Sequence, residues 1–336
     1  MGCEHLFSET VKTLDWPLQD RIQCIWQDSF VPYPQAEEVL SRFEELKSRP
    51  RTLRPQDIFL TGLPGNGKTA LLRESEERNP RQDNIATTEA PKVLLKGPSG
   101  SGKSALLQEC EKRNPWRKEL PARSIPVLIA TAPVSGGEGR LLSALLREIG
   151  YEDWESGSVD CKQKRVLSAL SACGVQLVII DDINNMLFGG IKKFEALYAS
   201  RSVSNYLQIP MVFAGSEEAA QVFGDESSLT TRLEVLELPL WIENRDFCEF
   251  LWGIQATLSL KKNSHLYERE KAHLVFELSK SIDSDGRPGR LVNILKIAKT
   301  AAVIGLRDGS EQITIEHLKS AAERCAWRKT LRSRQV

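Results

Sequence analysis

The chain has 336 residues, 41% hydrophobic and 27% charged, with 45 basic against 45 acidic side chains. That length supports a core domain plus a smaller one, and the even charge excludes a general field for gripping nucleic acid, so such contacts must come from local patches. No apolar run reaches the 18 residues that a membrane-spanning helix needs, the first 30 residues hold no apolar targeting run, and the seven scattered cysteines contain no Cys-x-x-Cys pair, which excludes a membrane-embedded, metal-framed or disulfide-stapled class and predicts a cytoplasmic protein.

Residues 1–55 read as a polar leader, with a helix predicted over Ala36 to Lys47 because Val39, Leu40, Phe43 and Leu46 fall at helical spacing. The leader closes on the basic, proline-broken stretch Lys47 to Pro55. From 56 to 240 short apolar runs alternate with amphipathic segments: Ile58 to Leu60, Val93 to Leu95, Val127 to Ala130, Leu177 to Ile180, Met211 to Ala214 and Val235 to Leu238, with helices expected near Arg140 to Ile149 and Lys162 to Ala172. This alternation predicts an α/β core, a parallel sheet with helices on both faces. In 241–326 apolar residues recur at three and four over Phe247 to Leu258, His273 to Ser281, Leu291 to Ile304 and Ile315 to Trp327, which predicts a small helical lid. The tail 327–336 is basic and expected to lack order.

Two phosphate-loop signatures stand 35 residues apart: Gly62-Leu-Pro-Gly65-Asn-Gly67-Lys68-Thr69 and Gly97-Pro98-Ser99-Gly100-Ser101-Gly102-Lys103-Ser104. In each, glycines let backbone N–H groups wrap a phosphate, the lysine neutralises it, and the hydroxyl suits a magnesium ligand. One chance match in such a chain is roughly a one-in-a-hundred event. The likeness extends from Leu60 to Pro80 against Leu95 to Pro115, so a strand–loop–helix unit is duplicated in tandem (57–90 and 92–124). The chain is therefore expected to bind ATP with Mg²⁺, at one loop or at two.

Leu177-Val-Ile-Ile-Asp181-Asp182 reads as a Walker B strand: Asp181 would hold magnesium and Asp182 would orient the attacking water. From Lys103 to Asp181 is 78 residues, ordinary room for the intervening elements, whereas from Lys68 it is 113. Spacing thus favours Gly97 to Ser104 as the working loop. The alternative is that the first copy holds the central strand and the second is the insertion.

Over about Leu14 to Lys319 the chain resembles the TniB and TnsC group of transposon-encoded AAA+ ATPases. The resemblance lies in Trp16-Pro-Leu-Gln-Asp-Arg-Ile, Val31-Pro-Tyr-Pro-Gln-Ala, Ile125 to Pro133, Val178 to Asn185, Ile209 to Ala219, Thr231 to Trp241 and Gly289 to Leu295. It implies a P-loop AAA+ core followed by a helical lid, with Ser216 as a γ-phosphate sensor, Arg232 as an arginine finger reaching a neighbouring subunit's nucleotide, and Arg290 as the lid's γ-phosphate sensor. Two departures stand out. Asp182 and Asn184 replace the family's usual glutamate and histidine, which implies slow hydrolysis, and the phosphate loop is duplicated.

The resemblance further implies a homo-oligomer, ring or helical filament, that polymerises on double-stranded DNA through backbone contacts and recruits a DDE transposase (TnsB/TniA-like) with a TniQ-like adaptor. Candidate DNA contacts are Arg140, Ser158, Lys162 and Lys164, beside Arg165. The alternatives are a nucleotide-gated scaffold that barely hydrolyses and an unrelated signalling or defence ATPase.

Overall fold

The computed structural model describes residues 4–83, 123–134, 137–187, 192–224, 232–283 and 285–326. The second phosphate loop, the expected strand Val93 to Leu95 and the tail lie outside these residues. The chain divides into two compact units: a sheet unit of Ser41–Thr61 and Leu72–Glu237, and a helical unit of Met1–Leu40, Gly62–Leu71 and Leu238–Val336. The strands are β1 (Asp57–Gly62), β2 (Gln82–Asp83), β3 (Arg123–Ser124), β4 (Val127–Thr131), β5 (Leu177–Asp181), β6 (Met211–Gly215) and β7 (Leu233–Leu238). The helices are α1 (Ser8–Lys12), α2 (Leu18–Trp26), α3 (Pro34–Ser48), α4 (Lys68–Glu77), α5 (Glu138–Ile149), α6 (Val159–Ala172), α7 (Asn184–Leu187), α8 (Lys192–Leu207), α9 (Glu217–Gly224), α10 (Arg245–Thr257), α11 (Arg269–Ile282), α12 (Leu291–Arg307) and α13 (Ile315–Cys325).

In the sheet unit five strands run in the order β4-β5-β6-β1-β7. The pairings β4 with β5, β5 with β6 and β6 with β1 are parallel, with Leu128 beside Val178, Ile179 beside Val212 and Leu60 beside Ala214. Every residue of β5 and β6 is buried. Strands covered on both faces lose the polar alternation of a half-solvated strand, which is why these segments read as unbroken apolar runs. Helix α5 presents Leu141, Leu142, Leu145, Leu146 and Ile149 to the core that holds Leu128, Val178 and Ile180. Each such side chain stabilises the fold by about 2 kcal/mol on burial. Arg42 of α3 donates Nε and Nη2 to Glu234 of β7 at 3.0 and 2.7 Å.

Strands β2 and β3 form a two-stranded antiparallel ladder that the sequence did not suggest, pairing Asp83 with Arg123 and Gln82 with Ser124. The chain therefore leaves for the second copy and returns from it at one place.

The helical unit packs α10 to α13 around Phe247, Leu251, Ile294, Ile297, Ala301 and Leu318. Asn244 caps α10 through Phe247 N–H (2.9 Å), and Thr314 with His317 closes a reciprocal box at the start of α13, each cap being worth about 1 kcal/mol. Part of the polar leader belongs to this core. Ile22, Ile25 and Val31 enter it, and Arg21 forks onto Glu311 at 2.8 and 2.6 Å while donating to Ser259 O at 2.7 Å. A nine-residue helix such as α2 shows too few turns for its apolar stripe to stand out in sequence.

Candidate functional site

In the helical unit the first phosphate loop runs from Gly62 into the start of α4. Gly65 and Gly67 have φ of +75° and +87°, and added Cβ atoms would meet Val292 Cγ1 at 2.7 Å and Leu291 Cδ2 at 2.4 Å. Only glycine satisfies both the left-handed backbone and the close approach of the Val292 and Leu291 side chains. Lys68 Nζ donates to Gly62 O (2.6 Å) and Leu63 O (3.1 Å). Asn66 Nδ2 donates to Leu238 O and Pro239 O, both at 2.7 Å. From the lid, Val292 N–H donates to Gly65 O (3.0 Å) and Arg290 Nη1 to Pro64 O (3.0 Å).

Beside the loop lies a cleft of about 140 Å³ lined by Tyr33, Gln35, Asn66, Trp241, Ile242 and Asn244. Trp241 stacks on Phe250 with centroids 4.4 Å apart and planes 14° from parallel, and Tyr33 leans on Trp241 at 5.0 Å. Burial pushes the Tyr33 hydroxyl up to about 12, so it stays protonated. The cleft thus has an aromatic wall with polar groups at Gln35, Asn66 and Asn244.

In the sheet unit, β5 and β6 end on one edge with Asp181, Asp182 and Ser216. Asp181 is buried and accepts the Asp182 N–H at 2.8 Å. Asp182 itself takes the left-handed conformation, φ 53°, uncommon for a residue with a side chain and frequent at functional turns. Asn184 Oδ1 accepts the Ser216 N–H at 2.8 Å and so ties the end of β5 to the end of β6. The sequence marks Asn184 only as a departure from the family, and this contact is what it does here. Ser216 Oγ also receives the Ala219 N–H at the start of α9 (3.4 Å).

Arg232 stands at the opposite, amino edge. Its carbonyl accepts the Asp57 N–H at the first residue of β1 (3.0 Å), and its Nη1 donates to Asn205 Oδ1 (3.0 Å). Burial, then Arg201 and Arg54, lower its guanidinium from the usual range. Asp57, which accepts the Met211 N–H at 2.9 Å, is pushed up to about 6 by burial. A strand of five or six residues spans about 20 Å, beyond the reach of one arginine, so Arg232 and the acids of β5 do not meet within one chain.

The candidate DNA contacts gather where α5 and α6 begin side by side: Gly139 lies against Val159, and Lys162 Nζ donates to Ser143 Oγ (2.8 Å). Ser158 caps α6 through the Cys161 N–H (3.4 Å). Arg140 is exposed with Nη1 on Val134 O (3.0 Å), and Lys164 is exposed. Arg165 instead donates to Asp153 O and Ser156 O.

The second loop, Gly97, Pro98, Ser99, Gly100, Ser101, Gly102, Lys103 and Ser104, lies outside the described residues. The strand found between β6 and β7 belongs to the first copy, which spacing did not favour. The slot explains the fit. Thr61 is buried and Asp57 accepts a backbone N–H, whereas the second copy carries Lys96 and Lys92 at these positions. A lysine at the buried Thr61 position would carry a charge where a small hydroxyl now sits, and one at Asp57's place would add a cation beside Arg201 and Arg232. Asn66, whose amide uses both donors, corresponds to Ser101, which has only one.

The sequence profile of the bacterial TniB protein family matches residues 21–94 and 84–243. The chain belongs to the TniB family, a family of transposon-associated AAA+ ATPases. Its two matched stretches overlap, and each contains one phosphate loop, as a tandem duplication produces. The fold of this TniB chain is similar to that of the Orc1 protein of Aeropyrum pernix solved in complex with DNA (19% identity, TM-score 0.53, covering 90% of this chain and 69% of that one). It is also similar to Cdc6p of Pyrobaculum aerophilum (14% identity, TM-score 0.57, covering 90% and 70%). At such identities the likeness shows the fold alone, a P-loop AAA+ core. No curated protein matches the chain. Among the described residues no helix is long and apolar enough to cross a membrane.

Proposed function

We propose that this TniB-family protein is an ATPase that assembles on target DNA and relays its nucleotide state to a transposase. The amides of Gly62, Gly65 and Gly67 would take the phosphates and Lys68 would neutralise them, while the Thr69 hydroxyl and the Asp181 carboxylate are each an oxygen donor of the kind Mg²⁺ takes, an ion that would supply charge neutralisation on the phosphate oxygens. Asp182 orients the water, Ser216 and Arg290 sense the γ-phosphate, and the cleft at Trp241 takes the base. This assigns the first loop rather than the one spacing favours, because the sheet slot and both donors of Asn66 fit the first copy.

The observation that carries the reading is the separation of Arg232 from the acids across the sheet. An arginine at the amino edge is out of reach of its own acids, which supports a finger that serves a neighbour's nucleotide and a hydrolysis that depends on assembly. The paired helix starts at Ser158 and Arg140, with Lys164, support backbone contact with DNA, since helix amino termini and cations both favour phosphate. Recruitment of a DDE transposase and a TniQ-like adaptor rests on the family alone.

Electron microscopy of the protein with duplex DNA and a non-hydrolysable ATP analogue tests this: rings or filaments around DNA are expected, and monomers under saturating nucleotide and DNA would overturn it. A second reading, a nucleotide-gated scaffold that scarcely hydrolyses, is favoured by the short, left-handed Asp182. Phosphate release with and without DNA separates the two, DNA-stimulated release supporting the ATPase.

A further inference from the structure

Arg290 is held from three sides. Its Nε lies 2.6 Å from Asp283 Oδ2, its Nη2 3.1 Å from Asp285 Oδ2, and its Nη1 donates to Pro64 O of the phosphate loop at 3.0 Å. The two acids differ greatly. Asp285's side chain is 56% exposed, and a solvated partner restrains little. Asp283's is 1% exposed, against 11% for Arg290. Its oxygens also receive the Asp285 N–H (2.9 Å), the Arg287 N–H (3.4 Å) and Asn293 Nδ2 (2.9 Å). Asp283 is thus itself fixed by backbone and by α12, and it offers Arg290 a rigid anchor.

We propose that Asp283 is a positioning residue that turns the Arg290 guanidinium so that its Nη1 face is delivered to the phosphate loop. The geometry uses the planar fork of arginine: Nε sits in ion-pair contact with Asp283 without hydrogen-bond alignment, Nη2 donates to Asp283 Oδ1 at 3.4 Å, and with that side of the fork held Nη1 donates to Pro64 O. Lysine, a single point charge, cannot bridge both. The inference rests on the ATP reading above and adds to it a residue outside every motif in the chain. Its consequence is selective. If Arg290 meets the γ-phosphate, loss of Asp283 weakens triphosphate binding and spares diphosphate.

The test is a double-mutant cycle on the full chain, reading dissociation constants for a non-hydrolysable ATP analogue and for ADP. Asp283→Asn and Arg290→Gln are each expected to weaken the analogue about tenfold, in line with loss of a charged hydrogen bond, with ADP unchanged and the double variant no weaker than Arg290→Gln. Effects that multiply in the double variant, or equal losses for ADP, would make Asp283 a purely structural residue and overturn the proposal. Should Asp283→Asn fail to fold, Arg290→Lys decides: it is expected to bind the analogue as poorly as Arg290→Gln, and full affinity would refute the bridge. Lys68→Ala separates the two levels. Its loss of both nucleotides upholds the site whatever Asp283 does, whereas normal binding by it removes the ATP reading and this proposal together.

Discussion

The two edges of the sheet carry opposite chemistry. At the carboxyl edge stand acids and a hydroxyl, with Asp181 buried, Asp182 in a left-handed turn, and Asn184 tying β5 to β6. At the amino edge stand Arg232 and Arg201 around the desolvated carboxyl of Asp57. On the proposed reading neither edge alone is a complete phosphoryl-transfer site, because the arginine finger stands at one and the candidate magnesium and water ligands at the other. Under the proposed function the two edges are complementary half-sites that a second copy would close, and their opposite charge would favour that pairing.

The largest effect on nucleotide binding expected from this contrast falls on the loop that β1 enters. Lys68→Ala should weaken ATP-analogue binding by at least about a hundredfold, the loss of a buried charge partner on phosphate, while Lys103→Ala stays within about threefold of wild type. The reverse result in a fluorescent-nucleotide titration would hand the site to the second copy.

Next comes the trans arrangement. Arg232→Ala and Asp182→Asn should each cut DNA-stimulated phosphate release about a thousandfold, and an equimolar mixture should recover turnover, since mixed neighbours restore one intact site. No recovery would show that both groups serve the same chain's nucleotide.

A smaller effect is expected where α5 and α6 begin. Replacing Arg140 and Lys164 by alanine should lower the slope of log affinity against log salt by about two and weaken DNA binding evenly across sequences. An unchanged slope would move the DNA contact elsewhere.

Asp57 sharpens the amino edge through pH. Its folded-state carboxyl is pushed up to about 6, so folding favours its neutral form: the contribution is fullest below the ordinary carboxylate range and is lost as pH rises through 6. Asp57→Asn, which keeps the acceptor for the Met211 N–H, should therefore raise stability at pH 7.5 by at most about 3 kcal/mol. At pH 4.5 it should change it little. Thermal melts at both values decide, and equal shifts at both would contradict the desolvation account.

The smallest effect is expected from removing residues 84–122. Asp83 and Arg123 are ladder partners, so a two-residue turn closes the gap, and the melting temperature and ATP-analogue affinity should stay close to those of the full chain. Loss of folding would mean that the second copy supports the sheet.

Much of the architecture was legible before folding. The apolar runs at Val127, Leu177, Met211 and Val235 all became strands, and the helix expected over Ala36 to Lys47 extends only slightly, to Pro34–Ser48. Buried strands and amphipathic helices write their environment into their own residues. The site was legible where it consists of a motif, at Gly65, Gly67 and Lys68. Asn66 and Asn184 were not, because each acts on a residue distant in the chain, and Asp283 was not, because it meets Arg290 across an irregular turn between helices whose residues follow no period. Helix α2 was too short to reveal its stripe.

By itself the sequence determined which segments are strand, helix or anion-binding turn, since those follow from side-chain periodicity and from glycine's backbone freedom. Only the tertiary structure decided which of two loops of one signature follows the strand between β6 and β7, and that Arg232 and Asp182 stand at opposite edges of the sheet. Strand order and burial are collective: β1 lies beside β6 although more than a hundred residues separate them, and a slot that accepts Thr61 and Asp57 rejects two lysines only once its neighbours are in place.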